Sequence, residues 1–289
     1  MPVIDVLKPH AKDLGGGLMI RRLLPAASRQ AIGPFVFFDH FGPIVRQPGD
    51  NFDVRPHPHI GLATVTYLYE GAMLHRDSLG SVQRIEPGAI NWMTAGRGIV
   101  HSERSPDELR SVSSPLHGLQ LWVALPLADE ECEPAFEHTA ARALPEASHD
   151  GVRIRLLVGE EFGLRSPVAT RSRTLFIDAH GDAGATLELR ASDLERGVYP
   201  LDDAVTVDGQ PLAANHVAVL EKGAKAKIGF PRGGRVAIVG GEAMDGRRHI
   251  WWNFVASSRE RIEAAKLAWT RQRMGSIPGE TEFIPLPER

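Results

Sequence analysis

Two short segments of the chain carry metal-ligating side chains two residues apart. The first, RPHPHIG (residues 55–61), contains His57 and His59, and the second, GRGIVHSER (residues 96–104), contains His101 and Glu103. On an extended chain, residues i and i+2 project from the same face. Each segment, if extended, would therefore present its two ligands in one direction, and together they would offer three imidazoles and one carboxylate.

The residues around these pairs favour an extended backbone. Proline disfavours the helical region for the residue before it, so Pro56 and Pro58 keep the preceding residues extended. Because proline has no N–H, the first segment suits an edge strand or the rim of a barrel. One such pair alone is usually two surface side chains that happen to alternate. Two pairs, roughly 40 residues apart, leave room for two intervening hairpin strands and favour one shared metal site.

The ligand set predicts the kind of ion. Nitrogen and oxygen donors suit first-row transition metals, and affinity alone does not discriminate among them. Four protein ligands leave an octahedral ion two further positions, enough for a bidentate organic ligand or for a substrate and dioxygen side by side. We expect iron(II). Nickel, manganese, cobalt, copper or zinc could occupy the site too, although zinc offers no redox chemistry.

The rest of the sequence predicts an all-β fold, because 29 glycines and 21 prolines punctuate short apolar runs. Runs rich in β-branched and aromatic residues predict strands at 62–69, 119–125, 152–158, 174–179, 186–190, 216–220 and 235–239. One helix is predicted near the C-terminus, with Ser257 as its N-cap and Glu260 completing a capping box. It would end near Met274, with Gly275 following as the C′ residue.

Length and composition bound the domain number and the class of protein. The 289 residues suffice for about two domains. We place the boundary in the non-periodic stretch 139–151, with a metal-binding barrel over 1–138 and a second barrel, helix and tail over 152–289. A single cysteine excludes multi-cysteine metal sites, and a net charge of −3 without a basic stripe argues against direct nucleic-acid binding. With no membrane-spanning apolar run and no presequence at Met1, we expect a cytoplasmic protein that does not enter a membrane.

Several blocks of the first half resemble the signature blocks of the pirin family. They are FVFFDHFGP (35–43), HPHIGLATVTYLYEG (57–71), HRDSLG (75–80), MTAGRGIVHSE (93–103) and LHGLQLWVALP (116–126), with a looser similarity at IWWNFV (250–255). The resemblance implies two tandem cupin-type β-barrels, a bicupin, with metal bound only in the first. It places the metal ligands on His57, His59, His101 and Glu103. One departure is Ala63, which stands where many pirins carry a glutamate.

The resemblance leaves two functions open. In the first, the protein is a quercetin 2,3-dioxygenase-type enzyme that binds a flavonol or a related diphenol on the metal, with Glu103 as the base for the hydroxyl proton. In the second, it is a regulatory protein, a transcriptional cofactor or enzyme regulator, whose metal or redox state alters a surface that binds a partner protein. The pocket walls that would select a substrate are not visible as linear motifs.

Polar residues near the two segments have weaker claims. His75 and Asp77 could orient a metal ligand, although such a pair on a strand is more often solvated. Three arginines flank the ligands and could draw in an anionic ligand, although arginines near a barrel mouth are common. These are Arg55, Arg97 and Arg104.

Overall fold

A computed structural model describes residues 2–13 and 17–288. Their first half forms twelve strands: β1 (Val3–Leu7), β2 (His10–Asp13), β3 (Met19–Leu24), β4 (Phe35–Arg46), β5 (Val54–His59), β6 (Leu62–Glu70), β7 (Met73–Asp77), β8 (Val82–Ile85), β9 (Ile90–Thr94), β10 (Ile99–Arg104), β11 (Ser114–Ala124) and β12 (Ala135–Thr139). Short 3-10 turns lie at Asp107–Leu109, Leu127–Asp129 and Ala141–Ala143.

The second half continues with fourteen strands and one α-helix. They are β13 (Glu146–His149), β14 (Val152–Val158), β15 (Glu160–Glu161), β16 (Leu164–Arg165), β17 (Thr174–Gly181), β18 (Ala185–Leu189), β19 (Glu195–Pro200), β20 (Val205–Val207), β21 (Gln210–Leu212), β22 (Val217–Leu220), β23 (Ala226–Phe230), β24 (Gly234–Gly241), β25 (His249–Trp251), β26 (Phe254–Ala256) and α1 (Arg259–Thr270). The all-β prediction is confirmed, and every run predicted as a strand lies within one residue of an observed strand.

The chain divides into two compact units, each built from separate stretches of sequence. The histidine unit comprises Lys12–Ile20, His40–Ala141 and Met244–Arg289, and the companion unit comprises Met1–Ala11, Arg21–Asp39 and Arg142–Ala243. The contiguous limits drawn from the sequence, 1–138 and 152–289, differ from this division. The helix and the tail belong to the histidine unit, and the stretch 139–151 contains β13, which pairs with β14.

The histidine unit contains a four-stranded sheet in the order β5-β10-β7-β8. A second sheet has the order β12-β9-β6-β11-β4-β3-β2, and its strands β2, β3 and β4 carry residues assigned to both units. Four strands, β6 to β9, lie between β5 and β10 along the chain, more than the two for which the spacing was judged to leave room. The edge position predicted for the RPHPHIG segment is confirmed, because β5 is the outer strand of its sheet.

The companion unit is also built from two sheets. One has the order β1-β22-β19-β24-β17-β14-β13 and the other the order β18-β23-β20-β21. Alternate residues of these strands meet in one apolar core, to which Ile154, Ile177, Val198 and Ile228 contribute fully buried side chains. Such a core gives this unit its own source of stability.

The helix exists where it was predicted, but its ends differ. Its N-cap is Ser258, whose side chain accepts a hydrogen bond from the backbone N–H of Arg261, whereas the hydroxyl of Ser257 donates to Glu130. At the other end, Gln272 takes the left-handed conformation with φ 52°, and the N–H of Arg273 bonds the carbonyl of Ala268. This pair of features is a Schellman-type stop, which ends the helix before Gly275.

The helix packs by the apolar face that its period predicts. Ile262, Ala265 and Trp269 are buried there in a cluster with Phe254 and Ile60. Through Ile60, this cluster adjoins the end of the ligand strand β5. Within the described residues, no helix combines the length and the hydropathy that crossing a membrane requires.

Candidate metal centre

Three of the predicted ligands lie together on two neighbouring strands. His57 and His59 lie on β5, and His101 lies on β10 directly opposite His57 in the antiparallel pair. The ring centroids of His57 and His101 are 4.4 Å apart, and that of His59 is 5.0 Å from each. We call these three residues the histidine triad. One nitrogen from each lies within 4.8 Å of the other two, which makes the triad the one potential metal-holding group of this kind in the described chain.

The backbone fixes which nitrogens two of these rings can offer. The Nδ1–H of His57 donates to the carbonyl of Arg55 at 2.9 Å, and that of His59 donates to the carbonyl of Asn253 at 3.0 Å. A carbonyl can only accept a hydrogen bond, so in a neutral ring Nδ1 carries the hydrogen and Nε2 keeps its lone pair. Metal-ligating histidines are commonly oriented in this way by their second nitrogen.

The hairpin that supplies the Asn253 carbonyl is the IWWNFV segment. Strands β25 and β26 pair Trp251 with Phe254, which leaves Trp252 and Asn253 as a two-residue turn. Trp252 adopts φ 51°, as tight hairpin turns require at that position. The N–H of Val255 then bonds the carbonyl of Ile60, the residue after His59. Sequence reasoning missed this contact, because a backbone carbonyl has no residue signature.

Glu103 lies beside the triad on β10. A register irregularity separates it from His101, and its Oε1 is 3.5 Å from Nδ1 of His101. The side chain is buried, and burial raises the pKa of Glu103 to about 8, although the nearby charge of Arg104 acts in the opposite direction. In the absence of a cation, this carboxyl therefore holds its proton at neutral pH.

Burial lowers the pKa values of the three histidines, whereas it raises that of Glu103. It lowers the pKa of His57 to about 4 and holds the pKa values of His59 and His101 well below the usual range for histidine. Neighbouring histidine rings add to the effect on each of them. The triad is therefore neutral at pH 7, which is the protonation state in which imidazole binds metals.

Buried atoms without partners show that these residues fit a metal ion. Both ring nitrogens of His101 and the Oε2 of Glu103 are buried and make no hydrogen bond to any described residue. Leaving such a group unsatisfied costs about 1–3 kcal/mol. A divalent cation beside the triad would satisfy one ring nitrogen of His101 together with the Oε2 of Glu103, and three nitrogens with one carboxylate are donors suited to a transition metal.

His75 and Asp77 form a buried pair next to the triad. Nε2 of His75 is 2.9 Å from Oδ2 of Asp77, and Oδ1 of Asp77 accepts from the backbone N–H groups of Leu79 and Ser81. Burial raises the pKa of Asp77, but the hydrogen bonds from His75 and Ser81 outweigh it and lower the pKa overall. The His75 ring lies 5.3 Å from that of His101. Both residues are at most 5% exposed, so the alternative of a solvated pair is wrong.

The three flanking arginines are engaged elsewhere or exposed. Arg97 pairs with Glu133 at 2.7 Å on the surface, and Arg55 is exposed. Arg104 binds two carboxylates of the C-terminal tail, Glu280 and Glu282. The structure therefore does not bring these guanidinium groups together around the triad.

Ala63 faces away from the side of β6 that carries Thr64. In the ladders around β6, Ala63 pairs with Val123 and Thr94, whereas Thr64 pairs with Trp122 and Met93. Alternate residues of a strand point to opposite faces of the sheet. The Trp122 ring lies 5.1 Å from His59, so the face shared by Trp122 and Thr64 is the one that meets the triad. The departure from the family pattern at Ala63 consequently removes no carboxylate from the immediate surroundings of the triad.

The C-terminal tail binds both ligand strands. The hydroxyl of Ser102, which lies between His101 and Glu103, donates to Glu280 at 2.6 Å. Further along, the N–H of Ile284 donates to the carbonyl of Pro56 at 2.8 Å, next to His57. The tail thus holds β10 and β5 by hydrogen bonds adjacent to their ligands, a role that its proline-rich sequence did not indicate.

Comparison with known proteins places the chain among relatives of the same architecture. Residues 17–123 match the Pirin family and residues 176–275 match the Pirin C-terminal cupin domain. A pirin-like protein of Caulobacter vibrioides is 44% identical over 98% of this chain and 99% of its own length. A putative quercetin 2,3-dioxygenase of Pseudomonas aeruginosa is 40% identical over 90% of this chain and 81% of its own. The crystal structure of a quercetin 2,3-dioxygenase from Acinetobacter baumannii has a TM-score of 0.92 and 35% identity, covering 99% of this chain and 96% of that one.

Proposed function

The chain belongs to the pirin family, and on that premise we propose that it is a metal-dependent dioxygenase acting on a flavonol such as quercetin or on a related diphenol. The proposed ligands are His57, His59, His101 and Glu103, and the proposed ion is iron(II). The single observation that carries the proposal is the histidine triad, neutral and buried, with Glu103 beside it, whose Oε2 has no hydrogen-bond partner among the described residues. The names of the Pseudomonas and Acinetobacter relatives support the substrate class.

The ion would supply Lewis acidity and a redox-active centre for reaction with dioxygen. The residues of the chain would hold the ion and exclude water from the site. Nε2 of His57 and Nε2 of His59, fixed by the hydrogen bonds at Nδ1, would hold the ion in one place. The buried surroundings of the triad exclude bulk water, which strengthens every electrostatic interaction within the site.

Glu103 is the proposed base for the substrate hydroxyl. Its Oε2 has no partner among the described residues, and its burial gives the carboxylate a high proton affinity. With the ion bound, Glu103 would be ionised, and its oxygen could accept the substrate proton once the carboxylate detaches or shifts from the ion as the substrate docks. The same carboxylate can therefore serve as ligand and as base.

The experiment loads metal-free protein anaerobically with iron(II), adds quercetin and oxygen, and measures oxygen consumption, carbon monoxide release and metal content in the same sample. Glu103→Gln should lose at least about 100-fold in rate, in the range typical of general base catalysis. Glu137→Gln, a matched change at an exposed position of β12, should keep the wild-type rate. Retention of the wild-type rate by Glu103→Gln at equal metal content would contradict the proposed role of Glu103.

A regulatory function remains the second candidate, because the ligand strand β10 is joined to the tail. Ser102, between His101 and Glu103, is hydrogen-bonded to Glu280, which also binds Arg104. If the bound ion changed its oxidation state, its attraction for Glu103 on β10 would change. Through Ser102, Glu280 and Arg104, that change would reach the exposed carboxylate of Glu282. Absence of turnover with every metal tested, together with different proteolysis rates of the tail in the oxidised and reduced forms, would favour this function.

A further inference from the structure

A row of four polar side chains crosses one sheet of the histidine unit. Gln120 of β11 pairs with Thr66 of β6, Thr66 pairs with Asn91 of β9, and Asn91 pairs with His138 of β12. Directly paired residues lie on the same face of a sheet. We call these four residues the polar row.

The polar row shares its face with residues that touch the candidate metal centre. Two positions along each strand lies a second row, Trp122, Thr64, Met93 and Phe136. Trp122 lies 5.1 Å from the His59 ring, and Phe136 stacks on His75 at 4.2 Å with an interplanar angle of 10°. Since a strand rises about 3.4 Å per residue, the polar row lies about 7 Å from this aromatic row.

The other face of the same strands has a different composition. The residues between the two rows are Leu121, Val65 and Trp92, which are apolar and at most 5% exposed, and Glu137 of the edge strand β12, which is exposed. On the face of the polar row, the next residue of β6 is Leu68, which belongs to an apolar cluster with Phe41. The polar row thus lies between the aromatic row and an apolar floor.

The hydrogen bonds within the polar row do not use the amide NH2 groups of Gln120 and Asn91. The Thr66 hydroxyl donates to Oε1 of Gln120 at 2.9 Å, and the Nδ1–H of His138 donates to Oδ1 of Asn91 at 2.7 Å. Each bond uses an amide oxygen, so the NH2 groups of Gln120 and Asn91 keep their hydrogens for another partner. Neither NH2 group donates to a residue in the described part of the chain. Nε2 of His138 keeps its lone pair in the same tautomer.

We propose that the polar row is a subsite that recognises hydroxyl groups on the distal ring of a polyhydroxylated aromatic ligand. This inference rests on the proposed function, in which such a ligand binds the metal through oxygen atoms of its first ring system. The ligand would lie along Trp122 and Phe136, and a ring extending about 7 Å further would bring its hydroxyl groups to the amide NH2 groups of Gln120 and Asn91. Asn91 is buried and Gln120 half-buried, and donors in such a site that are matched by one ligand and left unmatched by another discriminate between the two.

The test compares quercetin with galangin, which has the same fused ring system but an unsubstituted pendant ring. Binding to iron-loaded protein is measured anaerobically by calorimetry, so that no turnover is needed. The wild type should bind quercetin at least about 10-fold more tightly than galangin, a difference of about 1.4 kcal/mol, as expected when both amide NH2 groups form hydrogen bonds. Gln120→Met and Asn91→Leu, which keep side-chain volume but remove the donors, should reduce this preference below about 3-fold and leave galangin affinity unchanged.

The control is Thr94→Val, which removes a buried hydroxyl from the same sheet on its opposite face, beside Ala63. It should keep the full preference. Equal binding of both flavonols by the wild type, or an undiminished preference in both donor variants, would overturn the subsite. Failure to bind either flavonol would overturn the subsite and the proposed substrate class together. A preference for quercetin that depends on the donors, without oxygen consumption, would support the subsite and overturn only the enzymatic function.

Discussion

His59 donates its Nδ1–H to the backbone carbonyl of Asn253, a residue 194 positions later in the chain. This bond connects a predicted ligand in the first half of the sequence with a hairpin near its end. It selects the tautomer in which Nε2 carries the lone pair, and it fixes the plane of the ring. The position of the carbonyl depends in turn on the tight turn at Trp252, whose φ is 51°.

Replacing Trp252 should therefore alter metal affinity through the backbone. Asparagine tolerates the left-handed conformation, whereas valine is strained there by roughly 1–2 kcal/mol. Trp252→Asn and Trp252→Val both lose the indole, so their comparison isolates the turn. We expect Trp252→Val to bind iron(II) about 5- to 10-fold more weakly than Trp252→Asn in competition with a chelator. Equal affinities would show that the hairpin does not position His59.

Metal binding at pH 7 should release close to one proton per chain. Burial raises the pKa of Glu103 to about 8, so its carboxyl is mostly protonated in the metal-free protein at pH 7 and must ionise to bind a cation. The histidines contribute little, because the pKa of His57 is about 4 and those of His59 and His101 are also lowered by burial. Calorimetry in buffers of different ionisation enthalpy measures the number of protons. Proton release that is the same in Glu103→Gln as in the wild type would contradict this assignment.

The same carboxyl should make the stability of the metal-free protein depend on pH. The pKa of Glu103 is about 8 in the folded state and 4.5 by its ordinary value, so between these limits the folded state binds more protons than the unfolded state. The free energy of unfolding therefore falls as pH rises across this range, by up to about 1.4 kcal/mol per pH unit for one proton. The contributions of His57, His59 and His101, whose pKa values are lowered, have the opposite sign and are complete only about one pH unit above the ordinary histidine value of 6.5.

Urea unfolding of the wild type and of Glu103→Gln at pH values from about 6.5 to 8 isolates the effect of Glu103, because the histidine contribution is common to both proteins. Glu103→Gln has no ionisable group at this position, so the unfolding free energy of the wild type relative to that of the variant should fall as pH rises over this range. Identical slopes for the two proteins would mean that Glu103 does not carry the raised pKa.

The sequence predicted that His57, His59 and His101 come together, because their signal is local. Alternation at a spacing of two, with Pro56 and Pro58 keeping the chain extended, suffices to place His57 and His59 on one face of an edge strand. The strands could be predicted for the same reason, because a run of β-branched residues between turn residues is a local pattern that requires no knowledge of tertiary contacts. The observed N-cap, Ser258, lies one residue after the predicted Ser257. The two adjacent serines offer the same local signal, and Ser257 is hydrogen-bonded to Glu130 instead.

The surroundings of the ligands could not be predicted in this way. The carbonyl of Asn253 has no side-chain signature, and the bond from Ser102 to Glu280 joins residues 178 positions apart. The polar row appears only once the register of four strands is known. The division into units also depends on long-range contacts, because the helix and tail pack with a unit formed mainly by the first half of the chain.

The central claim, that His57, His59, His101 and Glu103 hold one ion, is tested most directly by elemental analysis of purified protein. We expect about one transition-metal ion per chain in the wild type and loss of most of it in His101→Ala, with circular dichroism unchanged because the two units have apolar cores of their own. His216→Ala, a histidine of the companion unit, should keep the metal. Full metal occupancy in folded His101→Ala would contradict the claim.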